Sequence, residues 1–223
     1  MEFLHLIKTE QIEKLQPIEF NGNITVVEDI GSVFSDAIKY LSSQFVIGFD
    51  TETKPCFIPH VPRNKMAILQ LSGHDRAFIF RLQQLGVPKE LAELLSNPKI
   101  LKIGAAVRDD IRGLQEYNKF QPQGFVDLQD IAEDFGIEDK SVRKMAAIIL
   151  ERKVSKSQQL SNWESSKLSD APLRYAAIDA WVCREMYDAL RAYKAEHPAA
   201  WGNNTNTNAD TDADIVANAD TKR

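Results

Sequence analysis

Phe45-Val46-Ile47-Gly48-Phe49-Asp50-Thr51-Glu52 is the stretch from which the chain is best read. Its first five residues carry no charge and are rich in β-branched and aromatic types, the pattern of a strand buried on both faces. Two carboxylates then arrive at Asp50 and Glu52. Side chains two apart on a strand project to the same side, roughly 6.5–7 Å apart. The pair therefore sits together at the C-terminal end of a core strand. Two negative charges near apolar surface repel each other and resist ionisation unless a positive charge compensates. A divalent cation is the usual compensation, and oxygen donors suit magnesium or manganese. Taken alone, the stretch reads more simply as a strand running out into a solvated turn. The rest of the chain has to decide between the two.

Working outward, Ile24–Val27 is expected as a short strand and Val33–Leu41 as an amphipathic helix. Prolines 55, 59 and 62 mark a loop after Glu52. Met66–Leu71 and Ala77–Phe80 are strands separated by the short turn Ser72–Asp75, a hairpin pattern. Ile100–Gly104 and Gly124–Asp127 are further strands. Helices are expected over Thr9–Leu15, Lys89–Leu95, Ala105–Tyr117, Leu128–Phe135, Val142–Leu150 and about Pro172–Tyr193. Strands that begin as a hairpin and then alternate with helices predict a single α/β domain with a mixed five- to six-stranded sheet. Residues 1–22 read as an N-terminal extension packing on a domain at 23–196. Residues 202–223 are an Asn/Thr/Asp-rich tail expected to lack fixed structure.

Composition narrows the function. The 223 residues carry a net charge of −5, unlike a protein that coats DNA, so any nucleic-acid contact must be local or act through a metal. No run approaches the roughly 18–20 apolar residues of a membrane span. Met1–Lys8 has no secretory pattern, and the two cysteines, Cys56 and Cys183, match no zinc spacing. A cytoplasmic protein is expected.

Three further residues bear on Asp50 and Glu52. Asp110 lies early on the helix after Gly104 and flanks the apolar stripe Val107, Ile111 and Leu114. Its neighbour Asp109 leaves open which of the two faces inward. Tyr175 and Asp179 are four apart, on one face of the last helix, roughly 6 Å from each other. Each has a plain alternative, a surface charge or a packed tyrosine. As an ordered set they resemble the DEDDy 3′–5′ exonuclease superfamily, most similar to the branch containing the Werner-syndrome exonuclease domain and ribonuclease D. Ile47–Glu52 resembles its first motif, Lys102–Asp110 its second, and Leu160–Trp163 with Tyr175–Ala180 its third. Arg174 stands where a histidine-type relative carries histidine, and Tyr175 fits the tyrosine class.

The resemblance implies a ribonuclease H-like fold and two magnesium or manganese ions. It implies Asp50, Glu52, Asp110 and Asp179 as metal ligands, with Glu52 and Tyr175 at the attacking water. Nucleoside 5′-monophosphates would leave from the 3′ end of a nucleic acid. DNA is favoured over RNA, because 223 residues leave no room for extra helical RNA-binding domains. Thr51, Lys54, Arg63, Lys65, Lys153 and Lys156 are candidate nucleic-acid contacts. The different-class alternative is a noncatalytic nucleic-acid- or protein-binding module on the same fold. Trp163 is expected as a packing anchor and Cys183 as core-facing.

Overall fold

A computed structural model describes residues 3–58 and 64–198. Arg63, the prolines at 59 and 62, Trp201 and the tail expected at 202–223 lie outside the described residues. Residues up to Ala189 belong to one compact unit, which holds every described strand. From Leu190 the described chain forms the last turns of a helix, where His197 stacks on Tyr193.

The strands are β1 (Asn23–Val27), β2 (Val46–Thr53), β3 (Met66–Ser72), β4 (Arg76–Arg81), β5 (Leu101–Gly104) and β6 (Phe125–Asp127). They form one sheet in the order β1-β4-β3-β2-β5-β6. The hairpin expected from the sequence is present: β3 pairs antiparallel with β2 and β4, while β1, β5 and β6 join in parallel. The helices are α1 (Thr9–Ile12), α2 (Ser32–Ser42), α3 (Leu82–Leu85), α4 (Lys89–Leu95), α5 (Val107–Leu114), α6 (Leu128–Asp134), α7 (Val142–Ile149) and α8 (Asp170–Glu196).

The two faces of the sheet bury different sets. On one, Phe49, Leu69, Leu71, Phe78 and Phe80 pack with Phe34, Leu41, Leu91, Val107 and Leu114, burying the apolar stripes of α2, α4 and α5. On the other, Ile68 and Ile79 meet Trp163 and Ala176, and Ala77 meets Ala177. Small residues line α8 here because its backbone comes very close to the sheet. A β-carbon at Gly48 would lie 1.8 Å from the Ala180 carbonyl oxygen. Trp163 is fully buried and Cys183 nearly so, as their surroundings in sequence suggested.

Several boundaries differ from the sequence reading. Phe45 lies before β2 and is 59% exposed, not part of the buried strand. Its carbonyl accepts the Leu101 N–H, so its backbone closes the ladder while its ring stays outside. At the other end the acids lie in the C-terminal part of β2, as expected. Antiparallel pairing with β3 carries it through Asp50, Thr51 and Glu52 to Thr53, with a register shift between the last two. The helix expected from Ala105 starts at Val107, because Ala106 adopts a left-handed conformation (φ 58°) that turns the chain out of β5. The four-residue α3 was not anticipated; Leu82–Leu85 follows β4 without a break.

The N-terminal segment is tied to the connections on both sides of α7. Ile12 is fully buried, Ile18 N donates to the Lys153 carbonyl and Lys153 N to Gln16, and the Ile7 N–H donates to Asp139 Oδ2 at 2.9 Å.

Candidate active site

Strand alternation sorts the residues of β2. Gly48, Asp50 and Glu52 face α8, while Phe49 and Thr51 face the other way. The approach of α8 to Gly48 sets Asp179, one residue before Ala180, over the two β2 acids. One carboxylate oxygen each from Asp50, Glu52 and Asp179 lie within 4.8 Å of one another. Tyr175, one turn earlier on α8, hydrogen-bonds Asp179 and packs 6.0 Å from the Trp163 ring.

Asp110 arrives from the opposite side. It sits on α5, and the Thr51 hydroxyl donates to its Oδ1 at 2.6 Å. This settles the choice left open by the sequence. Asp109 is exposed and pairs with Arg112 at 3.0 Å, while Asp110 turns inward. Thr51, a candidate nucleic-acid contact, uses its side chain to fasten Asp110.

Burial raises every acid in the group, and repulsion between the acids adds to it for Asp50 and Glu52. Burial, then Asp179, Glu52 and Asp110, push Asp50 well above the usual carboxylate range. Burial, Asp179 and Asp110 lift Glu52 to about 8. Asp179 rises to about 7 through burial, opposed by the Tyr175 hydrogen bond and the charge of Lys156. Asp110 rises to about 6 by burial, held back by Thr51. Burial and Asp179 also push the Tyr175 phenol upward, so it stays protonated at neutral pH. A cluster of this kind is a marker of function rather than of fold stability.

A family model described as 3′–5′ exonuclease matches residues 29–193. The chain belongs to the 3′–5′ exonuclease family. Its members act on DNA or RNA. Over 187 residues it is 28% identical to the mouse bifunctional 3′–5′ exonuclease/ATP-dependent helicase WRN, covering 80% of this chain and 13% of that protein. It thus spans a small part of that relative's length. Among solved structures, the EXO domain of Nibbler from Aedes aegypti shares the fold with a TM-score of 0.68 and 22% identity, covering 88% of this chain and 94% of that one. Ribonuclease D from Trypanosoma brucei, solved in complex with RNA U12, has a TM-score of 0.67 and 17% identity, covering 85% of this chain and 65% of that one. These likenesses place the mixed sheet and its flanking helices within the exonuclease fold.

Against that family background the basic candidates separate. Lys54, Lys65 and Arg112 line a cleft that opens beside Asp110. Within it, Lys54 Nζ pairs with Glu164 at 3.1 Å, and Lys65 lies over the Tyr117 ring. The Asn64 side chain donates to the Lys54 carbonyl, tying the two described ends of this loop together. Lys156 is exposed and close enough to Asp179 to act on its charge. Lys153 is occupied structurally, its ammonium on the carbonyl and carboxylate of Glu13. Arg143 pairs with the same glutamate and Lys144 with Asp139, so these nearby cations also anchor the fold.

Two residues of the site escaped the sequence reading. Asp127 ends β6 beside Gly104, and its carboxylate accepts from Ala106 N, Val107 N and Gln129 N at 3.0, 3.1 and 3.0 Å. One side chain thereby caps the starts of both α5 and α6, orienting the helix that carries Asp110. An aspartate between a short strand and a helix was the available signal. The other is Gln70, directly across the ladder from Asp50. A lone polar residue in the apolar run Met66–Leu71 could have marked it.

No described helix is long and apolar enough to cross a membrane.

Proposed function

We propose that this chain is a divalent-metal-dependent 3′–5′ exonuclease, hydrolysing phosphodiester bonds from the free 3′ end of a nucleic acid. The observation that carries the reading is the convergence of Asp50, Glu52 and Asp179 within 4.8 Å, with Tyr175 hydrogen-bonded to the last. The donor set fits a hard cation: it is all carboxylate oxygen, and its members are too crowded to ionise together without positive charge. Asp50, Glu52 and Asp179 would hold one ion, and Asp110, reaching the group from the far face, would help hold a second. When bound, such ions neutralise the phosphate, activate water and stabilise the leaving oxygen.

The remaining work falls to side chains. Tyr175 keeps its proton, so it orients the attacking water by hydrogen bonding and does not act as a base. Glu52, on the same face as Asp50, would also be placed to orient that water. Lys156 adds positive charge near Asp179. Lys54, Lys65 and Arg112 line the cleft through which a strand would reach Asp110. Hydrolysis puts the water oxygen on phosphorus, releasing a nucleoside 5′-monophosphate, and leaves a proton on the new 3′-hydroxyl.

The substrate reading is DNA over RNA, with a solved relative binding RNA U12 as the contrary indication. Matched 5′-labelled DNA and RNA strands incubated with manganese test both levels. A ladder shortening from the 3′ end, faster for DNA and absent in Asp50→Ala, is expected. Faster laddering of RNA overturns the DNA preference. No laddering of either strand leaves the noncatalytic binding module as the better reading.

A further inference from the structure

Gln70 lies at the centre of β3 with no exposed surface, and neither atom of its amide has a hydrogen-bond partner among the described residues. A buried amide left unpaired weakens a fold, and an apolar residue of the same shape would serve the core better. Several of its neighbours are apolar. Its directly opposed neighbour on β4 is Ile79, and the facing surface of α8 presents Ala176, Ala177 and Ala180.

Two polar residues on the adjacent strands lie on its face. Asp50 is its directly opposed partner on β2, with side chains on the same face. Directly opposed residues have β-carbons about 4.5–5.5 Å apart, within reach of a glutamine amide. Diagonally across on β4 is Arg81, paired with Ile68, 1% exposed, whose Nε also lacks a partner. Arg81 offers only donors and an ionised Asp50 only acceptors. A glutamine between them can satisfy both in one orientation.

We propose that Gln70 is a positioning residue for Asp50. In that role its Oε1 takes up the Arg81 Nε–H, both of which lack a partner among the described residues while the rest of the guanidinium contacts Ser165 and Glu28, and its amide N–H donates to the Asp50 carboxylate when that group holds a cation. The amide fixes the oxygen of Asp50 turned away from the ion and so aims the other. This rests on the reading of Asp50 as a metal ligand. Partners of this kind, one step removed from the metal, are typically worth 10–100-fold in metal affinity.

The test uses the full chain with Gln70→Met and Gln70→Leu. Mn²⁺ binding is followed by the loss of the free-ion electron paramagnetic resonance signal, and Tm is measured without metal. The expected result is a metal-free Tm equal to or above wild type, together with Mn²⁺ affinity about 10–100-fold weaker. Gln70→Met added to Asp50→Asn should weaken binding no further than Asp50→Asn alone. Mn²⁺ affinity within twofold of wild type in both apolar variants overturns the inference and leaves the proposed function standing. So does failure of both variants to fold, since that would mean the amide is bonded within the core. A wild-type chain that binds no Mn²⁺ overturns both.

Discussion

A β-carbon at position 48 would lie 1.8 Å from the carbonyl oxygen of Ala180. Gly48 and Ala180 thus set how far α8 sinks onto the sheet, and Asp179 immediately precedes Ala180 on that helix. The Gly48→Ala variant should push α8 outward. Overpacking of a tight core costs about 1–3 kcal/mol, a fall in Tm of roughly 2–12 °C for a chain of this size. Exonuclease activity, assayed where the variant is still folded, should fall at least tenfold. Wild-type activity in a folded Gly48→Ala protein would show that the acid cluster does not depend on this contact.

Thr51 and Asp110 join β2 to α5 on the face away from α8, at 2.6 Å. Thr51→Val keeps the shape and removes the hydroxyl, so the fold should persist with little loss in Tm. Activity should drop about tenfold, a scale set by a hydrogen bond to a charged group at roughly 1.5 kcal/mol. The hydroxyl also holds the Asp110 carboxyl down, so its loss should move the acidic limb of the pH–rate profile upward. Thr51→Ser should behave as wild type. Equal loss in the serine and valine variants would point to the methyl group instead.

The carboxylates predict an unusual response to pH. Asp110, Asp179 and Glu52 sit at about 6, 7 and 8 in the metal-free fold, above the roughly 4 of an unfolded chain. Groups raised on folding stabilise the fold while protonated and lose that contribution as pH rises through the folded values. Metal-free Tm should therefore fall between about pH 5 and 9. Added Mn²⁺ should raise Tm more at pH 8 than at pH 6, because protons compete for the same oxygens. Differential scanning fluorimetry across this range gives both curves. A smaller pH slope is expected for Asp179→Asn, and an unchanged slope would count against the assignment.

Tyr175 and Asp179 share one face of α8 but should respond differently to substitution. Asp179→Ala should abolish activity and Mn²⁺-dependent stabilisation together. Tyr175→Phe should keep metal binding and lose activity by a factor of about 10²–10⁴, the scale of a positioned proton-handling group. Single-turnover digestion alongside thermal titration separates the two effects. Full activity in Tyr175→Phe would remove the water-orienting role.

Much of this site could be read in one dimension because periodicity is local. The apolar run into Asp50 and Glu52 announced a core strand with both acids on one face. The four-residue spacing of Tyr175 and Asp179 put them on one side of a helix. The hairpin of β3 and β4 followed from a four-residue turn between two apolar runs. Other features depend on partners far along the chain. Asp109 and Asp110 differ by one position, and only Thr51, 59 residues before Asp110, selects between them. Lys54 and Lys153 read as free cations until Glu164 and Glu13 were brought beside them.

By itself, then, the sequence determined which of the candidate side chains share a face, since strand and helix repeats dictate it. The tertiary structure decided how those faces meet. The acids assemble from two sides of a sheet: Gly48 lets α8 settle onto one, and Asp127 and Thr51 hold α5 and Asp110 on the other. Contacts across a sheet depend on packing distance, which no local repeat encodes.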